Sequence, residues 1–127
     1  MILVDTSAWV DFFRDERLAG AVDEALGEGL VAVCGPVVLE LRRGLAARSR
    51  GKVLALLEGC TLLEEPENLW DHAGDLGFSL ARRGLNAKSL DLVIAVYALS
   101  HDALLLTESR DLRLMAREGV PLRFVQA

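Results

Sequence analysis

The stretch SLDLVIAVYALSHDALLLT, Ser89–Thr107, decides how the chain is read. Ser89 is a residue type that caps helices, and SLDLVIAVYALS behind it is apolar nearly all round, which describes a buried helix. After a short polar break comes a four-residue apolar run, Ala103–Leu106, too short for a second helix and continuous enough for a strand buried on both faces. A buried helix leading into a buried strand is the signature of an α/β sheet.

Four other runs share that character: Met1–Val4, Leu30–Val33, Thr61–Leu63 and Leu122–Val125. Helical patterns fill the gaps. Leu69, Ala73, Leu76 and Leu80 make one stripe within Glu67–Arg83. Pro36 suits the first position of a helix through VVLELRRGL, and Gly84 with Asn86 suits a chain reversal. Thr6–Gly29 reads as two short helices broken near Asp15–Arg17. The expectation is one domain over residues 1–127, a three-layer α/β/α sandwich around a mainly parallel five-stranded sheet with right-handed crossovers.

Composition narrows the function. With 52% hydrophobic residues the chain can bury a real core, and no apolar run reaches the roughly 18–20 residues a membrane span needs. A net charge of −5 argues against a surface that coats nucleic acid broadly, while leaving room for a local basic strip. Cys34 and Cys60 lie in apolar runs without metal-ligand spacing, so they read as buried free thiols in a reducing compartment. With no signal peptide in MILVDTS, the expected location is the cytoplasm.

Ligands of open α/β sheets bind beyond the carboxyl ends of the strands. Asp5 ends the first strand, Glu40 lies one turn inside the helix after the second, and Asp91 sits in the first turn of the buried helix. LLTESRDL, Leu105–Leu112, follows the fourth strand and carries Glu108 and Asp111. All four places belong to one end of the sheet. Each acid also has a simpler role: Asp5 as a helix cap, Asp91 as a complement to a helix dipole, Glu40 as a solvated residue beside an apolar stripe. Carboxylates gathered together repel unless a cation or proton neutralises them, and oxygen donors without His or Cys suit Mg²⁺ or Mn²⁺.

At these residues the sequence resembles the PIN-domain family, and within it the VapC-type toxin ribonucleases of prokaryotic toxin–antitoxin pairs. MILVDTSAWVDFFR resembles the family's first strand and Asp-Thr-Ser/Asn turn, and PVVLELRRGL its second acidic motif. LDLVIAVYAL resembles the third and ALLLTESRDL the fourth, which usually reads Thr-x-Asp-x-Asp-Phe. The similarity runs over essentially the whole chain in order. With Thr107 on the family threonine, Ser109 stands where the fourth acid usually does, Asp111 matches the family's less central acid, and Glu108 is an intervening residue that points away.

The resemblance implies a Mg²⁺- or Mn²⁺-dependent endoribonuclease leaving a 5′-phosphate and a 3′-hydroxyl. Asp5, Asp91 and Glu40 would be the catalytic metal ligands, with Thr6 and Ser7 orienting Asp5 or a water. It also implies a homodimer and a cognate antitoxin protein that blocks the site. Arg42, Arg43, Arg48, Arg50 and Lys52, five bases with no acid among them, form either an RNA phosphate track or a solvated helix face. Arg82, Arg83 and Lys88 make a weaker group. Trp9, Phe12 and Phe13 read as core or dimer surface, His72 as solvent-facing, and His101 as a helix C-terminal residue.

Other sheets of this kind are disfavoured by specific absences. DTSAWV after the first strand lacks both GxGxxG and a second Asp two residues after Asp5. The alternatives that remain are a non-catalytic PIN-like module binding RNA or protein, and a DNase on the same fold.

Overall fold

A computed structural model describes residues 1–44 and 46–126. Four strands form one parallel sheet: β1 (Ile2–Val4), β2 (Val31–Val33), β3 (Thr61–Leu62) and β4 (Leu104–Leu106), in the order β3-β2-β1-β4. Helices flank the sheet, in chain order α1 (Thr6–Arg14), α2 (Ala19–Gly27), α3 (Gly35–Gly44), α4 (Arg50–Glu58), α5 (Leu69–Ala81), α6 (Ser89–Ser100) and α7 (Arg110–Arg117).

The register places β1 at the centre. Leu3 pairs with Ala32 on one side and Leu105 on the other, and all three side chains are fully buried. Such strands need no polar alternation because helices cover both faces. The chain runs from β1 outward through β2 and β3, then crosses to β4 on the opposite flank of β1. The order of strands therefore reverses at β1, which makes its carboxyl end the topological switch point where open α/β sheets bind ligands. Asp5 is the next residue.

The fifth strand is reduced to a bridge. Leu105 donates its N–H to Arg123 and accepts one from Val125, at 2.8 and 2.9 Å, and a single parallel bridge joins Leu105 to Phe124. Leu122–Val125 does run beside β4, but its pairing is confined to the bonds about Leu105, too little for a regular strand.

The break between the first two helices falls where expected, with Asp15 in the left-handed region at φ 54°. Ser89 does not cap α6: Lys88 holds the cap position, and no side chain accepts a bond from the first turn. The reading of α6 as buried was sound, since Leu92 through Ala98 are all buried. Its main partner is α5, whose Leu69, Ala73 and Leu80 face inward while Leu76 is half-buried. Gly77 lets the two helices approach, since a Cβ there would stand 2.7 Å from Leu92 Cδ1. Gly84, at φ 89°, turns the chain after α5.

Trp9 is wholly buried and packs against Phe12 and Phe13, the last of which is partly exposed. Cys34 is buried, and desolvation pushes its thiol up to about 12, so it is an inert core residue. Cys60 is only half-buried, against expectation, because it sits in the turn between α4 and β3. His72 is exposed and His101 forms the C-terminal cap of α6. Among the described residues no helix is long and apolar enough to cross a membrane.

Candidate active site

Asp5 follows β1 and begins α1. Its backbone N–H reaches Leu106 across the sheet at 3.0 Å, and its side-chain Oδ1 accepts the Thr6 N–H at 2.8 Å, capping the helix. Oδ2 accepts the Thr107 hydroxyl at 2.7 Å and the Ser7 hydroxyl at 3.3 Å. Only 4% of Asp5 is exposed. Burial pushes its carboxyl above the ordinary range; the bonds from Thr107, Thr6 and Ser7 oppose this, and the Glu40 charge adds to it.

The hydroxyls around Asp5 are locked in turn. Thr107, 1% exposed, accepts the Ser109 N–H at 2.8 Å, and Ser7 accepts the Glu108 N–H at 2.9 Å. The Ser7 and Thr107 hydroxyls also lie 3.3 Å apart, and the segment after β4 is thereby stitched to the segment after β1.

Glu40 projects from α3, and its Oε1 accepts the Thr6 hydroxyl at 2.8 Å. Asp91 stands in the first turn of α6, where Oδ2 accepts the Ser109 hydroxyl at 2.9 Å. Burial raises the Asp91 carboxyl; the Ser109 bond and the Lys88 charge lower it, and the Asp5 and Asp111 charges raise it. Ser109 also caps α7, accepting the Leu112 N–H at 3.2 Å. Asp111 accepts the Lys88 N–H at 3.0 Å, tying α7 to the start of α6.

One open cleft of about 610 Å³ gathers these groups: Asp5, Glu40 and Asp91, with Thr6, Ser7, Ser109 and Asp111 beside them. Thr107 lies beneath, held to Asp5 rather than lining the cleft. Glu108 is a residue of the cleft wall, but its carboxylate is turned to Arg17, in the turn between α1 and α2 and outside the cleft lining, in an ion pair at 2.6 Å. Lys88 and Arg110 also line the cleft. Arg110 was missed in the sequence although it adjoins Ser109, because a single arginine in a mixed segment carries no pattern.

The five-base strip is not part of this cleft. Arg50 turns back to the Arg42 carbonyl at 2.6 Å, and Arg43 and Arg48 are simply exposed. Lys52 lines a neighbouring groove of about 460 Å³ that adjoins the cleft through Thr6 and Glu40.

The donor chemistry suits a hard divalent cation: oxygen only, several carboxylates, and desolvation that disfavours leaving them bare. As placed, however, no three His, Cys, Asp or Glu side chains among the described residues form an ion-holding group. Each carboxylate is turned to a hydroxyl: Asp5 to Thr107, Glu40 to Thr6 and Asp91 to Ser109.

The chain belongs to the PIN domain family, whose model matches residues 2–118. Over 124 residues it is 32% identical to VapC ribonuclease Mb1587 of Mycobacterium bovis and equally to ribonuclease VapC11 of Mycobacterium tuberculosis, covering 92% of each chain. Its fold is similar to a chain in the crystal structure of VapBC2 from Rickettsia felis bound to a DNA fragment from their promoter. There the TM-score is 0.77 at 20% identity, with 98% of both chains covered.

Proposed function

We propose that the chain is an endoribonuclease, the toxin of a toxin–antitoxin pair, that cleaves RNA with a divalent cation held by Asp5, Glu40 and Asp91. The observation that carries this reading is the collection of those three carboxylates in one cleft at the switch point of the sheet. The ribonuclease relatives, similar over nearly the full length, give it its substrate class.

Mg²⁺ or Mn²⁺, when bound, lowers the pKa of water and neutralises charge on the phosphate. The chain's own groups then supply orientation. Thr107 and Ser7 hold Asp5 by Oδ2 while its Oδ1 accepts the Thr6 N–H. Thr6 holds Glu40 by Oε1 and Ser109 holds Asp91 by Oδ2, so Glu40 and Asp91 each keep a second carboxylate oxygen for the cation. Hydrolysis adds water at phosphorus and breaks the bond to the 3′ oxygen, leaving a 5′-phosphate on one product and a 3′-hydroxyl on the other. Of the five bases from Arg42 to Lys52, Lys52 has the best case for touching RNA, from its place in the adjoining groove. A homodimer and a cognate antitoxin belong to the same reading, supported by apolar surface at Trp70 and Phe78 on α5 that a protein partner can cover.

Ser109 in an acid's usual place favours one second reading, a module that binds RNA without cutting it. Incubating the purified chain with single-stranded RNA, with Mn²⁺ and with EDTA, separates them. Cleavage that requires the metal supports the enzyme; binding without cleavage in either condition supports the module.

A further inference from the structure

A strand of RNA carries one negative charge per nucleotide, and the cleft it must enter is lined by five carboxylates: Asp5, Glu40, Asp91, Glu108 and Asp111. A cation bound among the first three relieves only part of that field, so flanking phosphates need protein cations close by. Arg17 is committed to Glu108. Among the described residues the cleft has two cationic side chains in its lining, Lys88 and Arg110, and none of the ion pairs involves either.

Their placement is not incidental. Lys88 is the residue immediately before α6, one turn ahead of Asp91, and its N–H is held by Asp111 at 3.0 Å. Arg110 opens α7 between Ser109, which is bonded to Asp91, and Asp111. These two contacts, of which the Ser109 bond also steers Asp91, tie α7 to the start of α6 and so fix the backbone carrying both cations. The Lys88 charge is felt at Asp91, where it favours the ionised carboxyl. Both side chains are exposed, so they can reach a ligand outside the cleft floor.

Resting on the ribonuclease reading above, we infer that Lys88 and Arg110 form a two-cation clamp on a backbone phosphate of the RNA, on the α6–α7 rim of the cleft beside Asp91. The clamp is a positioning device. It sets the register in which the strand crosses the carboxylates, and the planar arginine adds a bidentate contact that the lysine point charge cannot make.

The test uses the full chain with Lys88→Gln, Arg110→Gln and the double variant, and Lys88→Arg and Arg110→Lys as charge-conserving partners. Single-stranded RNA affinity is measured by fluorescence anisotropy in EDTA across a salt series, and steady-state cleavage is measured with Mn²⁺. Each neutralisation should weaken binding and raise KM roughly three- to tenfold, keep kcat within about twofold, and flatten the log–log salt slope by ~0.7. The conservative variants should stay within about threefold of wild type, with Arg110→Lys the more affected. Wild-type KM, affinity and salt slope in the double variant would overturn the clamp. If the wild-type chain binds RNA but never cuts it, the ribonuclease reading fails while the binding series still decides the clamp.

Discussion

The Ser109 hydroxyl donates to Asp91 Oδ2 at 2.9 Å while accepting the Leu112 N–H at 3.2 Å. One small side chain thus starts α7 and steers a carboxylate on α6. Where the family resemblance leads one to look for a fourth acid, this chain has a hydroxyl that orients the third. LLTESRDL is therefore both the start of a helix and part of the candidate site.

Replacing that hydroxyl separates its two jobs. Ser109→Ala loses the cap and should lower stability by about 1 kcal/mol, with a larger drop in cleavage than that loss explains. Ser109→Asp can still cap, but puts a second charge beside Asp91. Without divalent cation its Tm should fall below wild type, and Mn²⁺ should raise it by more than it raises wild type, because a tighter ligand stabilises more at equal concentration. Thermal melts with and without Mn²⁺ read both effects.

Asp111 accepts the Lys88 N–H at 3.0 Å, and on the reading proposed above it acts through that backbone contact. Asp111→Ala should reduce cleavage severalfold by loosening the start of α6. Asp111→Asn keeps an acceptor for that N–H and should retain most of the activity. Equal, severe loss in both would mean that the charge itself is needed.

Asp5 and Asp91 give the metal-free protein a definite pH dependence. Burial raises both carboxyls above their ordinary 3.8, so the folded state binds these protons more tightly than the unfolded chain. Their stabilising contribution is complete below the ordinary value and is lost as pH rises through the raised folded values. Metal-free stability should therefore fall from acid towards neutral pH. Asp5→Asn should flatten that fall and give a higher Tm than wild type at neutral pH in EDTA, while abolishing cleavage. A wild-type Tm that climbs over the same range would contradict this account of Asp5.

Much of this site was legible because it rests on backbone position. Asp5, Glu40 and Asp91 are each tied to the end of a strand or the first turns of a helix, and apolar runs such as Leu104–Leu106 mark those places. Side-chain direction was not legible in the same way. Glu108 was expected to point away, and its carboxylate pairs with Arg17, 91 residues earlier; no local pattern records such a partner. Ser89 looked like a cap because capping residues are recognised by type, whereas the chain begins α6 one residue early at the Asp111-held turn. The fifth strand failed for a related reason: hydrophobicity at Leu122–Val125 reports burial against β4, not the length of its hydrogen-bonded ladder.

The Arg17–Glu108 pair is largely exposed, so Arg17→Gln should change stability by less than ~1 kcal/mol despite the short contact. Its effect should instead be on the charge of the cleft. With Glu108 unpaired, Mn²⁺ affinity measured by calorimetry should rise, and RNA affinity in EDTA should fall.

The central claim is that Asp5, Glu40 and Asp91 together hold the cation that RNA hydrolysis requires. The most direct measurement is cleavage of a defined single-stranded RNA by wild type and by Asp5→Asn, Glu40→Gln and Asp91→Asn, in Mn²⁺, Mg²⁺ and EDTA, with product ends mapped. Wild type should cut only with a divalent cation and leave 5′-phosphate ends, and each variant should lose at least about a hundredfold in rate while remaining folded. Undiminished cleavage by all three variants, or full wild-type cleavage in EDTA, would contradict the claim.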